Sequence, residues 1–174
     1  MAFNVREIFA ALDRAHARYV VVGGFAVILH GYTRFTHDLD LVIDLEPENC
    51  AKALAALETV GLKPRLPVSM RDFAKPEIRQ DWHRKRHMQV FQLWDPRNEQ
   101  RSVDIFVREP VKFDELWRDS VVKDYDGVPI RIAGIAHLIA MKTEAGRPRD
   151  REDIAKLQEI QGYAGDRSGD KNEP

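Results

Sequence analysis

The chain has 174 residues, 44% of them apolar and 32% charged, which suits one globular domain with its own core and a solvated surface. A net charge of −1 excludes a uniformly basic or acidic polyelectrolyte, and a single cysteine, Cys50, excludes an internal disulfide or a Cys-rich zinc site. Residues 1–22 carry scattered charges and no apolar signal core. No apolar run approaches the roughly 18–20 residues of a bilayer span, so a cytoplasmic protein with no membrane partner is expected.

Asn4 followed by Glu7 predicts a capped helix start, with Val5, Ile8, Phe9 and Leu12 on its buried stripe. The run Arg18–Val22 then predicts a buried strand, broken by Gly23-Gly24. A short helix is expected over Phe25–His30, and a second strand over Leu39–Leu45. Pro47 opens a helix that runs over Ala51–Val60 and ends at Gly61. From Lys63 to Arg86 periodicity is poor and three prolines intervene, so a long loop with a little helix around Met70–Phe73 is expected. Residues 63–88 hold eight Lys or Arg against three Asp or Glu, a local +5.

Met88–Trp94 and Ser102–Val107 read as a hairpin, followed by a short helix over Phe113–Trp117. Ser120–Tyr125 and Val128–Ile132 flank Asp126-Gly127, a strong hairpin turn. Helices are expected over Ile135–Glu144 and Asp150–Gln161. Strands and helices mix without regular βα alternation, which predicts an α+β fold with a mixed sheet, packed helices and a short helical C-terminal segment. The expected division is a core over 1–132, a helical segment over 133–162 that closes on it, and a disordered tail over 163–174.

The chemistry gathers around "HDLDLVID". Alternate strand residues share a face, so Asp38 and Asp40 stand about 7 Å apart on one side while Leu39 and Leu41 turn into the core. A bare Asp-x-Asp is ordinarily a solvated strand face. Here Asp104 interrupts the apolar alternation of another strand, between Val103 and Ile105, and three acids on one sheet face suit two divalent cations. The Gly23-Gly24 pair is by itself a tight turn. At a strand-to-helix junction it also lets backbone approach a phosphate.

The stretch "GGFAVILHGYTRFTHDLDLVID" resembles the signature of the DNA polymerase β superfamily of nucleotidyltransferases. Its finer pattern of Gly-Gly, Ala26, His30-Gly31, Arg34, Thr36 and Asp-Leu-Asp-Leu is similar to the AbiEii-type, type IV toxin-like branch. The later stretch "HLIAMKTEAGRPRDREDIAKL" extends the likeness, which covers about residues 19–157. The resemblance implies transfer of a nucleoside monophosphate from an NTP to an acceptor hydroxyl. It implies Asp38, Asp40 and Asp104 as ligands of two Mg²⁺ (or Mn²⁺) ions and as catalytic acids. Gly23 and Gly24 would hold the triphosphate and Lys142 would reach it, with Arg147 and Asp150 supporting that corner. Many superfamily members carry serine at the second glycine, a hydroxyl that Gly24 lacks. Arg34 and Thr36 are candidates to replace that contact. In the resembled branch the acceptor can be the 3′ end of tRNA or a hydroxyl on a partner protein, and a cognate antitoxin protein is an implied partner. Other relatives modify small antibiotics, and a non-catalytic nucleotide- or partner-binding module is a further alternative.

Some residues keep a bland reading beside the functional one. Lys142 sits among Leu138, Ile139 and Met141, where it reads equally as a surface lysine with a buried stem. His30 reads as a structural histidine at a helix end. His37-Asp38 lacks the further histidines of a metal phosphohydrolase. The segment "RQDWHRKRHMQ" places Trp82 among Arg79, Arg84, Lys85 and Arg86, which suits either a solvated loop or a polyanionic acceptor.

Overall fold

The computed structural model describes residues 4–169, with the side chains of 99–101 and 163–169 outside that description. In chain order the elements are α1 (Val5–Arg14), β1 (Tyr19–Val22), α2 (Gly23–Leu29), β2 (Asp38–Ile43), α3 (Pro47–Thr59), β3 (Lys63–Pro64) and α4 (Pro76–Arg86). There follow β4 (Val90–Asp95), β5 (Asn98–Phe106), α5 (Phe113–Arg118), β6 (Val121–Tyr125), β7 (Val128–Ile132), α6 (Ile135–Ala145) and α7 (Pro148–Gly169). The seven strands form one mixed sheet in the order β3-β4-β5-β2-β1-β7-β6. The expected α+β class and mixed sheet are what the chain adopts.

The center of the sheet is β5-β2-β1. β1 runs antiparallel to β2, and β2 runs parallel to β5. All four β1 residues are buried, which is why Tyr19–Val22 reads as an unbroken apolar run. In β2 the Leu39–Leu41 face is dry, 1% and 0% exposed, while Asp38 and Asp40 occupy the opposite face, which is itself buried further along at Val42. One core cluster joins the sheet to α1 and α3 through Phe9, Leu12, Leu54 and Leu57, and it reaches Leu138 of α6 and Leu157 of α7. α6 and α7 pack on each other, and α6 also meets α2. Leu138 and Leu157 thus tie α6 and α7 into the same core cluster as the sheet.

Three local expectations need correction. Asn4 stands at the start of α1, but its side chain makes no cap bond; its carbonyl instead accepts from the Glu7 and Ile8 amides at 3.0 and 3.4 Å. The segment expected as a loop holds a 3₁₀ turn over Met70–Ala74 and the eleven-residue α4. Its pattern is weak because α4 buries few side chains. Trp82 stacks on Phe91 at 5.2 Å, and the buried Arg79 donates to the carbonyls of Phe73 and Leu45 at 2.5 and 3.1 Å. Trp82 is thus a core residue and offers no surface for a base. Arg84, Lys85 and Arg86 stay exposed. Finally, α7 continues to Gly169, into the stretch expected to be disordered, while residues 170–174 lie outside the described part.

Candidate active site

The β2–β5 register assembles the acids. Asp38 pairs with Ser102 and Asp40 with Asp104, on adjacent parallel strands about 4.8 Å apart. Paired residues present the same face, so Asp104 stands beside Asp40, with Asp38 two residues along the same strand. Neighbouring polar groups orient the outer two acids. Ser102 Oγ donates to Asp38 Oδ1 at 2.6 Å, and Gln92 Nε2 donates to Asp104 Oδ1 at 3.0 Å. Ser102 and Gln92 were missed in the sequence. Their signal was parity: each lies on the face of Asp104, one two residues before it and one across the β4–β5 hairpin.

Asp40 is the strained member. Burial, then the charges of Asp104 and Asp38, push its carboxyl up to about 7, against the pull of Lys142 and Arg147. Burial likewise raises Asp104, with Asp38 adding to it and the Gln92 hydrogen bond opposing. Hard carboxylate oxygens whose charges repel are what a divalent cation relieves, and on that ground Asp38, Asp40 and Asp104 fit Mg²⁺. Among the described residues, no three His, Cys, Asp or Glu side chains stand as placed in a group that could hold a metal ion.

The glycine pair gains a definite cause. Gly23 has a φ of +65°, and a Cβ there would overlap the Asp40 carboxylate. At Gly24 a Cβ would lie 2.9 Å from Thr36 Oγ1 and 3.1 Å from a guanidinium nitrogen of Arg34. Both positions lack side chains because the site's own groups fill the space. The Thr36 hydroxyl thereby occupies the neighbourhood that a serine at position 24 would serve.

Lys142 is not a surface lysine. It is 8% exposed, and its Nζ lies 2.7 Å from Asp153 Oδ2 and 3.3 Å from Asp150 Oδ1. Arg34 Nη1 also binds Asp153. Asp150 returns its other oxygen to the backbone N–H of Arg147 at 3.1 Å, closing half of a capping box at the start of α7. Gly146, at φ +61°, ends α6 and turns the chain into that corner. Asp153, 1% exposed, is thus the hub of two cations and was missed. It lies three residues after Asp150, on the same helix face, which was the available signal.

These groups surround one cleft of about 700 Å³. Gly23, Gly24, Arg34, Thr36, Asp38, Asp40, Asp104, Lys142, Arg147 and Asp150 all line it, so these residues meet in one place. Leu138 shares the wall one turn before Lys142. Arg108, at the end of β5, and Arg149, at the start of α7, add two exposed cations at the rim. His30 lies outside the cleft: its Nε2 pairs with the Ala133 carbonyl at 2.8 Å, and burial lowers its pKa, in keeping with the structural reading.

The mixed sheet thus carries Asp-x-Asp beside a third acid and next to a glycine pair. The chain belongs to the family described as nucleotidyltransferase of unknown function (DUF6036), whose model matches residues 3–161, and it is accordingly an enzyme of that class. No curated protein matches its sequence. Solved structures share the fold. The lincomycin-bound lincosamide antibiotic adenylyltransferase LnuA superposes with a TM-score of 0.57 at 17% identity, covering 90% of this chain and 98% of that one. ANT(2")-Ia in complex with adenylyl-2"-tobramycin gives 0.56 at 16%, covering 94% and 95%. An antigenic nucleotidyltransferase-like protein from Paracoccidioides brasiliensis gives 0.51 at 15%, covering 96% and 89%. Among the described residues, no helix is long and apolar enough to cross a membrane.

Proposed function

We propose that the chain moves a nucleoside monophosphate from an NTP to an acceptor hydroxyl, releasing pyrophosphate. The observation that carries this reading is the register that sets Asp104 beside Asp40, with Asp38 on the same face and Lys142 in the same cleft. Asp38, Asp40 and Asp104 would hold two Mg²⁺ ions, which when bound supply charge neutralisation at the α-phosphate and acidify the attacking hydroxyl. Asp104, oriented by Gln92, accepts the hydroxyl proton. The backbone at Gly23 and Gly24 and the Thr36 hydroxyl face the triphosphate. Lys142 and Arg34, shared through Asp153, set positive charge against it, and Arg147 extends that charge along the cleft. The protein's own contribution is positioning and fixed electrostatics.

Our reading of the acceptor is an RNA end or a protein hydroxyl, in the manner of AbiEii-type toxins, with a cognate antitoxin as partner. Arg108 and Arg149 at the rim, and the exposed Arg84–Arg86 segment, favour a polyanionic acceptor. A second reading, transfer to a small antibiotic, is favoured by the near-complete mutual coverage with LnuA and ANT(2")-Ia. The test is incubation with each labelled NTP and Mg²⁺ against total RNA, total protein, an aminoglycoside and a lincosamide. Label in RNA or protein supports the first reading, and label in a drug supports the second. No label and no pyrophosphate with any acceptor refutes nucleotidyl transfer.

A further inference from the structure

The segment between α2 and β2, residues 30–37, holds a feature that the catalytic reading leaves unused. Its side chains alternate. Tyr32 Oη donates to Glu152 Oε1 at 2.6 Å, Arg34 is tied to Asp153, and Thr36 lines the cleft beside Gly24. The even positions are therefore anchored to α7 or turned toward the acids. Phe35 lies between two of them and is 69% exposed, although its backbone is held by the Arg34 Nε bond to its carbonyl at 3.4 Å. Its ring meets His37 edge to face, with centroids 4.4 Å apart, and His37 lines the cleft next to Asp38.

A phenylalanine left this open loses the gain of burying its ring, and nothing in the core explains it. Phe35 does not itself line the cleft, but its ring packs on His37, which does, so the ring stands beside the rim, three residues from the first acid. An aromatic face on a backbone pinned from both sides is a rigid platform, and the substrates of this reaction class carry a planar aromatic group in their nucleobases.

We propose that Phe35, braced by His37, forms a stacking platform for a nucleobase at the mouth of the cleft. This deepens the nucleotidyltransferase reading and rests on it. The base could come from the NTP or from a nucleotide of an RNA acceptor. Both present the same π-face to the ring, and stacking reads no particular base edge. The platform thus supplies affinity and orientation with little choice among bases.

The experiment measures equilibrium binding to the full chain with Mg²⁺, using three probes: each NTP, inorganic tripolyphosphate, and a short single-stranded oligoribonucleotide. Phe35→Ala and Phe35→Trp are compared with the wild type. The expected result is that Phe35→Ala loses about 5- to 100-fold in affinity for a base-carrying probe. Its tripolyphosphate binding should stay unchanged, and Phe35→Trp should keep wild-type affinity. A loss on NTP assigns the platform to the donor base, and a loss on the oligoribonucleotide assigns it to the acceptor. Unchanged affinity for both overturns the proposal, as does an equal loss on tripolyphosphate, which would mean that Phe35 shapes the phosphate site. If the wild type binds neither NTP nor tripolyphosphate, the nucleotidyltransferase reading falls and the platform with it. Wild-type binding of NTP with no effect of Phe35→Ala sinks the platform alone.

Discussion

Asp40→Asn is expected to stabilise the metal-free protein while it abolishes catalysis. Burial and two neighbouring carboxylates lift the Asp40 carboxyl from 3.8 to about 7. The folded state therefore holds a proton that the unfolded chain has released across the window between those values. Asp40 is fully tolerated below about pH 4, and stability falls as pH rises toward 7 and the buried charge appears. The displacement corresponds to about 4 kcal/mol above pH 7 as an upper bound, and residual solvent contact brings the expected gain for the asparagine to about 2–4 kcal/mol. For a chain of this size that is a rise in melting temperature of roughly 5–15 °C at pH 8 in EDTA, shrinking to nothing near pH 4. The assay is thermal unfolding of both proteins across pH 4–8. Mg²⁺ with NTP should raise the wild-type midpoint and leave the mutant unmoved. Parallel midpoint curves for the two proteins, with no convergence at acid pH, would refute the account of Asp40 as a strained carboxyl awaiting a cation.

Gly23→Ala should cost about 1–3 kcal/mol by denaturant melt and remove most activity, because the methyl strains a backbone at φ +65° and displaces the Asp40 carboxylate. Lys142→Ala leaves Asp150 and Asp153 buried without their shared cation, so a loss of about 3–5 kcal/mol is expected. A change within about 0.5 kcal/mol would restore the surface-lysine reading. Asp153→Asn should weaken NTP binding about tenfold without touching the metal acids, since it loosens Arg34 and Lys142 together. Wild-type nucleotide affinity in that variant would show that the two cations need no common anchor.

Much of this site was legible because it is built on short-range rules. Asp38 and Asp40 share a face by strand parity, and the Gly23-Gly24 pair marks a strand-to-helix junction, while Asp150 was named only through the family resemblance. The apolar runs of β1 and β7 and the Asp126-Gly127 turn likewise declare themselves over a few residues. Such features depend on local geometry, and local geometry is written in adjacent residues.

Pairings across the fold were decided elsewhere. That Asp104 faces Asp40 depends on the β2–β5 register, and strands 64 residues apart carry no local record of it. The burial of Lys142 depends on α6 packing against α7, where Asp150 and Asp153 make a buried ammonium tolerable. Helix α4 was hidden for the same reason. Its few buried side chains leave almost no periodicity, and the groups that hold it lie outside the helix: Phe91 of β4 for Trp82, and for Arg79 the carbonyl of Leu45, 34 residues away in the segment after β2. The residue types and their spacing along the chain therefore set which groups the site contains. Packing at long range set which of them are buried together, and hence the charge balance that makes Asp40 titrate near neutrality and ties Arg34 and Lys142 to one aspartate.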